Sequence, residues 1–392
     1  MNRGSPWSWP QYADDERSAV AAVLASGQVN YWTGSEAREF EREYAEHVGS
    51  AHAIALANAT VALELALRVL GIGPGDEVVT SPRTFIASAS CVVMRGGIPV
   101  FADVDRDSQN VTAESIERAL TARTRAIIPV HLAGWPCEMD QIMELAKARG
   151  LMVIEDCAQA SGAMFRERPV GGLGHAGAFS FCQDKIITTG GEGGLLVASD
   201  QDVWRDAWSF KDHGKNYDAV YHRQHPPGFR WLHESFGTNW RMTEMQAAIG
   251  RVQLRKLPDW TARRAANAGI LRDGLANLAA LRIPDVPGHI CHAWYKFYAF
   301  VRPDALRSGW SRDRIMVEIA EKGVPALAGS CPEVYLEKAF TLSGTGLRTR
   351  LPVARELGET SLMFLVHPTL NEGDMRDTAQ AVAKVMRAAA RT

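Results

Sequence analysis

The chain has 392 residues, more than one hydrophobic core comfortably serves, so a large domain and a smaller one are expected. Its 43 Lys and Arg against 45 Asp and Glu leave a net charge of −2, which excludes a global field for nucleic acid or an anionic membrane. With 46% hydrophobic and 22% charged residues it is neither disordered nor fibrous.

The segment up to Ser18 lacks an apolar core of signal-peptide length, and no run of about 18 apolar residues follows, which predicts a cytoplasmic protein. Cys91, Cys137, Cys157, Cys182, Cys291 and Cys331 include no C-x-x-C pair and read as reduced thiols.

In chain order, HAIALA (His52 to Ala57) reads as a strand and ATVALELALRVL as the helix after it. Asn58, Ala59 and Thr60 stand at their junction, where free N–H groups and the helix dipole favour an anion; Asn and Thr are also ordinary caps. DEVVTSP and the helical TFIASASCVVMRG come next, then IPVFADVD, RAIIPVHL, the amphipathic MDQIMELAKAR and LMVIEDC. Short Val- and Ile-rich runs alternating with helices predict a mostly parallel sheet covered by helices, an α/β fold with right-handed crossovers.

LMVIEDCAQASGA puts Glu155 and Asp156 at the end of a strand that reads as buried, where an unpartnered carboxylate is costly. Ligands collect at the carboxyl ends of such strands, so a ligand contact competes there with the capping of the next turn. AFSFCQDKIITTGGEGGLLV then sets one lysine, Lys185, between an apolar strand and a glycine cluster. Apolar neighbours lower a lysine pKa, as a Schiff-base amine requires, and glycines let backbone approach a ligand; a surface lysine beside a hairpin is the alternative.

The stretch from 211 to 236 is loop-rich and basic, with Lys211, Lys215 and Arg230, and could hold a diphosphate; solvated charge is the simpler account. His222 and His225 form an H-x-x-H pair without an acidic or cysteine complement, so no metal site is expected. After Met242 a long helical pattern is expected to break near Pro258, with a domain boundary near residue 255 separating 1–255 from a small α+β domain, 256–392. Trp32, Trp294 and Tyr295 could stack on a sugar or pack in the core.

Taken together, ANATVAL, GPGDEVVTSPRTFIASAS, GGIPVFADVD, IIPVHLAGWPCEMDQI, VIEDCAQASGA, GAFSFCQDKIITTGGEGG and FGTNWRMTEMQAAIGRVQL resemble the sugar aminotransferases of the DegT/DnrJ/EryC1/StrS family, over nearly the whole chain. The resemblance implies fold-type I architecture, with a seven-stranded-type sheet in the large cofactor-binding domain. It implies pyridoxal 5'-phosphate, passing through its pyridoxamine form, with Lys185 as the Schiff-base lysine and Asp156 as partner of the pyridine nitrogen. Gln159 would face the phenolic oxygen, Phe85 would stack on the ring, and Ala59, Thr60 and Ser180 would hold the phosphate. Asn239 would reach the cofactor of a neighbouring subunit, which makes a homodimer with shared sites.

Two departures stand out: Ala59 replaces the usual glycine, and Cys182 lies where His is frequent. His213 and His367 fall where the family places substrate-side loops, and either could equally be a histidine satisfied near a turn. The implied reaction passes an amino group from glutamate or glutamine to a keto-sugar, nucleoside-diphosphate-linked, with a keto-cyclitol as the alternative acceptor. A sugar dehydratase, in which histidine replaces the lysine, and a silent sensor or scaffold on the same fold are the rivals; Lys185 argues against the first, and the intact cofactor set against the second.

Overall fold

A computed structural model describes residues 7–224 and 231–391; Arg230 and His225 lie outside the described residues. The expected strands form one sheet: β1 His52–Leu56, β2 Glu77–Thr80, β3 Ile98–Phe101, β4 Thr124–Ile128, β5 Met152–Asp156, β6 Ala176–Ser180 and β7 Gly194–Ala198. Their order is β1-β7-β6-β5-β4-β2-β3. All pairs are parallel except those of β7, which runs antiparallel to both β1 and β6. The carboxyl ends of β1, β2, β5 and β6 therefore share one edge with the amino end of β7.

Every residue of β2, β6 and β7 is buried, because helices cover both faces, and this is why β6 and β7 read as unbroken apolar or small-residue runs. Helix Ala59–Val69 packs on β6 and β7, and Ile54, Leu63, Leu67 and Leu196 share its core. A second, antiparallel sheet of Leu281–Arg282, Phe297–Val301 and Ser361–Phe364 lies in the C-terminal part against helix Glu372–Ala389.

Between the two parts runs one helix, Glu244–Leu275, which continues through Pro258; the expected break does not occur. A proline inside a helix costs about 3 kcal/mol, whereas each fully buried leucine contributes about 1.5–3 kcal/mol. Leu254 and Leu257 are buried in one core and Leu271 and Leu275 in another, so packing on both sides of the proline outweighs it. Thr243 starts the helix through a capping box with Gln246. Among the described residues, no helix is long and apolar enough to cross a membrane.

Candidate active site

The two acids that end β5 point to opposite faces, as strand alternation requires, and their partners differ. Glu155 is fully buried and accepts from the backbone N–H groups of Leu173 (2.7 Å), Gly174 (2.6 Å) and Gly171 (2.9 Å). Its Oε2 also lies 3.0 Å from His131 Nε2. His131 Nδ1 accepts from Cys137 N at 2.9 Å, so Nε2 carries the ring proton and donates to Glu155. Glu155 thereby fastens the 171–174 loop to the sheet.

Among the described residues, the Asp156 carboxylate accepts from Ser88 Oγ (2.6 Å) and the N–H of Ala158 (3.1 Å). Burial pushes its carboxyl above the ordinary value, against the pull of those bonds and of the Lys185 charge. A buried acid in this condition is matched by a cationic ligand group.

Lys185 lies in the loop after β6, and its side chain is largely shielded. Its Nζ stands 3.3 Å from Tyr295 Oη and 3.7 Å from Asp184 Oδ1, and Tyr295 Oη in turn donates to Asp184. Burial opposes the Asp184 charge, yet Lys185, the Tyr295 hydroxyl and Lys296 together hold the carboxyl below its ordinary value. Burial also lowers the Lys296 amine to about 8 and the Arg264 guanidinium to about 9. Arg264 Nη1 donates to the carbonyls of Trp294 and Tyr295, both at 3.3 Å. Trp9 Nε1 donates to the Lys185 carbonyl at 2.8 Å; its ring lies 5.2 Å from Arg264 Cζ and stacks on His367 at 5.9 Å.

A third group forms where β1, β6 and β7 meet. Leu56 and Ser180 are both register partners of Gly194. Asn58 caps helix Ala59–Val69 by accepting from Val61 N at 3.0 Å, which leaves the first-turn N–H groups of Ala59 and Thr60 for an anion. Ala59 is the first helical residue, so its methyl stands on ordinary helical backbone. Gly194 is obligatory: a Cβ there would come 2.2 Å from the Asn58 carbonyl carbon.

Phe85 presents a ring that is 68% exposed just before helix Ala87–Met94, and Gln159 is tied by its Oε1 to Ala133 N at 2.8 Å. Asn239 is exposed, in a segment that runs antiparallel past Leu56 and Ala57 of its own chain.

The substrate-side candidates are arranged differently from expectation. Lys215 is buried and pairs with Asp212 at 3.0 Å, over the Trp32 ring at 3.8 Å. Lys211 is buried against Glu41 (2.9 Å), Arg241 pairs with Asp212 (2.6 Å) and Arg223 with Glu234 (2.7 Å). Each of these four cations thus has an acidic partner inside the chain, Asp212 serving two of them, so three acids face four cations. Trp32 packs edge-on against Trp208. His213 is exposed with φ +61°, and His367 is buried, bonded to Thr369 and pushed down to about 3 mainly by burial.

The sequence does not single out Ser88, Asp184, Trp9 or Arg264, and it offers Tyr295 only as a ring that stacks on a ligand or packs in the core. Asp184, adjacent to the lysine, was the one with a visible signal.

Pyridoxal phosphate carries a ring nitrogen, an aldehyde and a phosphate, and one edge of the sheet offers a buried acid, a shielded amine and a helix start respectively. Fold and site define a pyridoxal-phosphate-dependent aminotransferase of fold type I. The chain belongs to the DegT/DnrJ/EryC1/StrS aminotransferase family, which it matches over residues 10–383. It is 33% identical to the spore coat polysaccharide biosynthesis protein SpsC of Bacillus subtilis over 99% of this chain and 98% of that one. An aminotransferase from Psychrobacter cryohalolentis superposes with a TM-score of 0.96 at 55% identity, covering 97% of this chain and 99% of its own. DesV of S. venezuelae, solved with a ketimine intermediate, gives 0.85 at 32% identity over 95% and 94%. Structures of the family include both pyridoxal and pyridoxamine phosphate forms, and the enzyme is a transaminase that uses this cofactor.

Proposed function

We propose that this enzyme transfers an amino group from glutamate or glutamine to the keto group of a nucleoside-diphosphate-linked sugar, as a cytoplasmic homodimer with shared active sites. The observation that carries the sugar reading is the full-length likeness to a protein of spore coat polysaccharide synthesis, since polysaccharides are assembled from activated sugars.

When bound, the cofactor supplies an electron sink that stores the amino group between two half-reactions. In this reading Asp156 holds the proton on the pyridine nitrogen, which accounts for a buried acid with so few partners. Ser180 and the N–H groups of Ala59 and Thr60 bind the phosphate, Gln159 orients the phenolic oxygen and Phe85 covers the ring. Lys185 moves a proton between the substrate carbon and C4′, first as base and then as acid. Asn239 contributes from the partner subunit. Residues 1–255 form the cofactor domain and 256–392 the small domain.

A second reading, a keto-cyclitol acceptor, is favoured by the internal pairing of Lys211, Lys215, Arg223 and Arg241. The pyridoxamine form, mixed with keto-sugar nucleotides and with scyllo-inosose, distinguishes the two by which ketone restores the yellow form. Recovery by the nucleotides supports the first reading; recovery by the inosose alone replaces it with the second.

A further inference from the structure

The reactive lysine sits in an uneven electrostatic setting. Lys296 feels the charges of both Lys185 and Arg264, and among the described residues Asp184 is an acid that acts on all three; Asp156 and Lys185 also interact. Tyr295 arrives from 110 residues further along the chain and stands between the lysine and that acid.

The direction of its hydrogen bonds follows from chemistry. An ionised Asp184 can only accept, so the Tyr295 hydroxyl proton is committed to Asp184 Oδ2. The tyrosine oxygen then turns its lone pairs towards Lys185 Nζ, 3.3 Å away, and accepts from it. The chain of donation runs from amine to phenol to carboxylate. It fixes one N–H of the amine and leaves the nitrogen lone pair directed elsewhere. Asp184 Oδ1, at 3.7 Å, is too far for a direct bond, so the phenol is the bridge between amine and acid. Burial of Tyr295 and its carboxylate neighbour both work against a phenolate, so the phenol stays protonated and keeps this order.

We propose that Tyr295, backed by Asp184, is a positioning residue that holds the Lys185 amine each time substrate releases it, with Asp184 as counter-charge once Lys185 takes up a proton. The inference rests on reading Lys185 as the cofactor-bearing base. Tyr295 does not touch the reacting carbon; it acts through the lysine. Cys182, Lys296, Arg264, Tyr298 and Asp156 are the other titratable or charged groups around this trio, and the variants below leave them in place.

The test has two arms. On cofactor-stripped protein, limited acetylation of Lys185 by acetic anhydride is followed by mass spectrometry across pH, which reports the midpoint of the amine directly. A neighbouring carboxylate stabilises an ammonium, and the Asp184 side chain is half exposed and screened by water, so Asp184→Asn should lower the midpoint and speed labelling at neutral pH by about threefold or more. Asp184→Glu should return the midpoint towards wild type. On the holoenzyme, stopped-flow absorbance of the glutamate half-reaction should show Tyr295→Phe slowed by about tenfold or more with the KM for glutamate retained. The Cα-deuterium effect should rise in the same variant, since proton transfer becomes more fully rate-limiting. A midpoint unchanged in Asp184→Asn, or a half-reaction unchanged in Tyr295→Phe, overturns the proposal. Lys185→Ala separates this from the underlying reading: if that variant still turns over, the base itself is misassigned.

Discussion

Glu155 and Asp156 are neighbours of the same chemical kind, and the structure predicts opposite consequences of neutralising them. In Glu155→Gln one carboxylate oxygen becomes an NH2 group. If it replaces Oε1 it faces the N–H groups of Leu173 and Gly174; if Oε2, it faces Gly171 N and His131 Nε2. Either way two buried donors lose their acceptor, at about 1–3 kcal/mol each, so roughly 2–6 kcal/mol of stability should go. Asp156→Asn keeps an oxygen for Ala158 N and a partner for Ser88, and it removes a buried charge.

The sign follows from linkage. Burial raises the Asp156 pKa in the folded protein, so the folded state binds its proton more tightly than the unfolded chain does. Stability is then lost as pH rises from the unfolded carboxylate value, about 3.9, through the raised folded one. The cofactor-stripped Asp156→Asn protein should accordingly be as stable as wild type at neutral pH, or more so. It should gain little from added pyridoxal phosphate, whereas wild type and Glu155→Gln should both be stabilised by it. Urea unfolding followed by circular dichroism, with and without cofactor, measures both effects. An Asp156→Asn protein destabilised as much as Glu155→Gln but still binding cofactor at wild-type affinity would refute the assignment.

Lys185→Ala should fold normally and show no transamination, read as an absent absorbance change on adding glutamate. Co-refolding Lys185→Ala with Asn239→Asp should restore activity in mixed dimers, one site carrying both defects and the other neither; no gain in demonstrably mixed dimers would place Asn239 in its own subunit's site. Lys215→Met should weaken the fold without changing the substrate KM, by less than the roughly 3–5 kcal/mol typical of a broken buried pair, because Arg241 remains on Asp212. His292 is buried, its Nδ1 accepts from Trp294 N at 2.8 Å, and burial lowers it to about 3. Its contribution is present above about pH 6.5 and is lost as pH falls towards 3, about 2 kcal/mol by pH 5. His292→Asn should flatten that part of an acid-unfolding curve.

Much of the fold was legible because parallel strands buried on both faces write themselves as short apolar runs between helical patterns. The strands and the helices Ala59–Val69, Ala87–Met94 and Met139–Arg149 announce themselves in this way, whereas the short helix Ala113–Ala119 does not. Glu244–Leu275 did not, since Pro258 signals a break locally while the packing of Leu254, Leu257, Leu271 and Leu275 is settled by segments far away in sequence. The site divides along the same line. Asp156, Lys185, Ser180 and the start of helix Ala59–Val69 lie at strand ends, where motif and position coincide. Tyr295, Arg264 and Trp9 approach the lysine from elements that carry no motif of their own.

Charge was the least legible quantity, and the reason bears on specificity. Counting residues from Lys211 to Arg241 suggests an anion site, but Glu41 comes from a helix 170 residues earlier in the chain and neutralises Lys211. Asp212 takes both Lys215 and Arg241. At Lys185 the reverse holds: a lysine, a second lysine and a buried arginine gather around Asp184, although no stretch of sequence there is notably basic. Cationic groups therefore gather beside Lys185 as well as in the loop that looked richest in them. An acceptor that depends on electrostatic attraction can find cations at the lysine side of the site as well as in the loop. Neutralising Lys296 should accordingly weaken an anionic substrate more than neutralising Lys215.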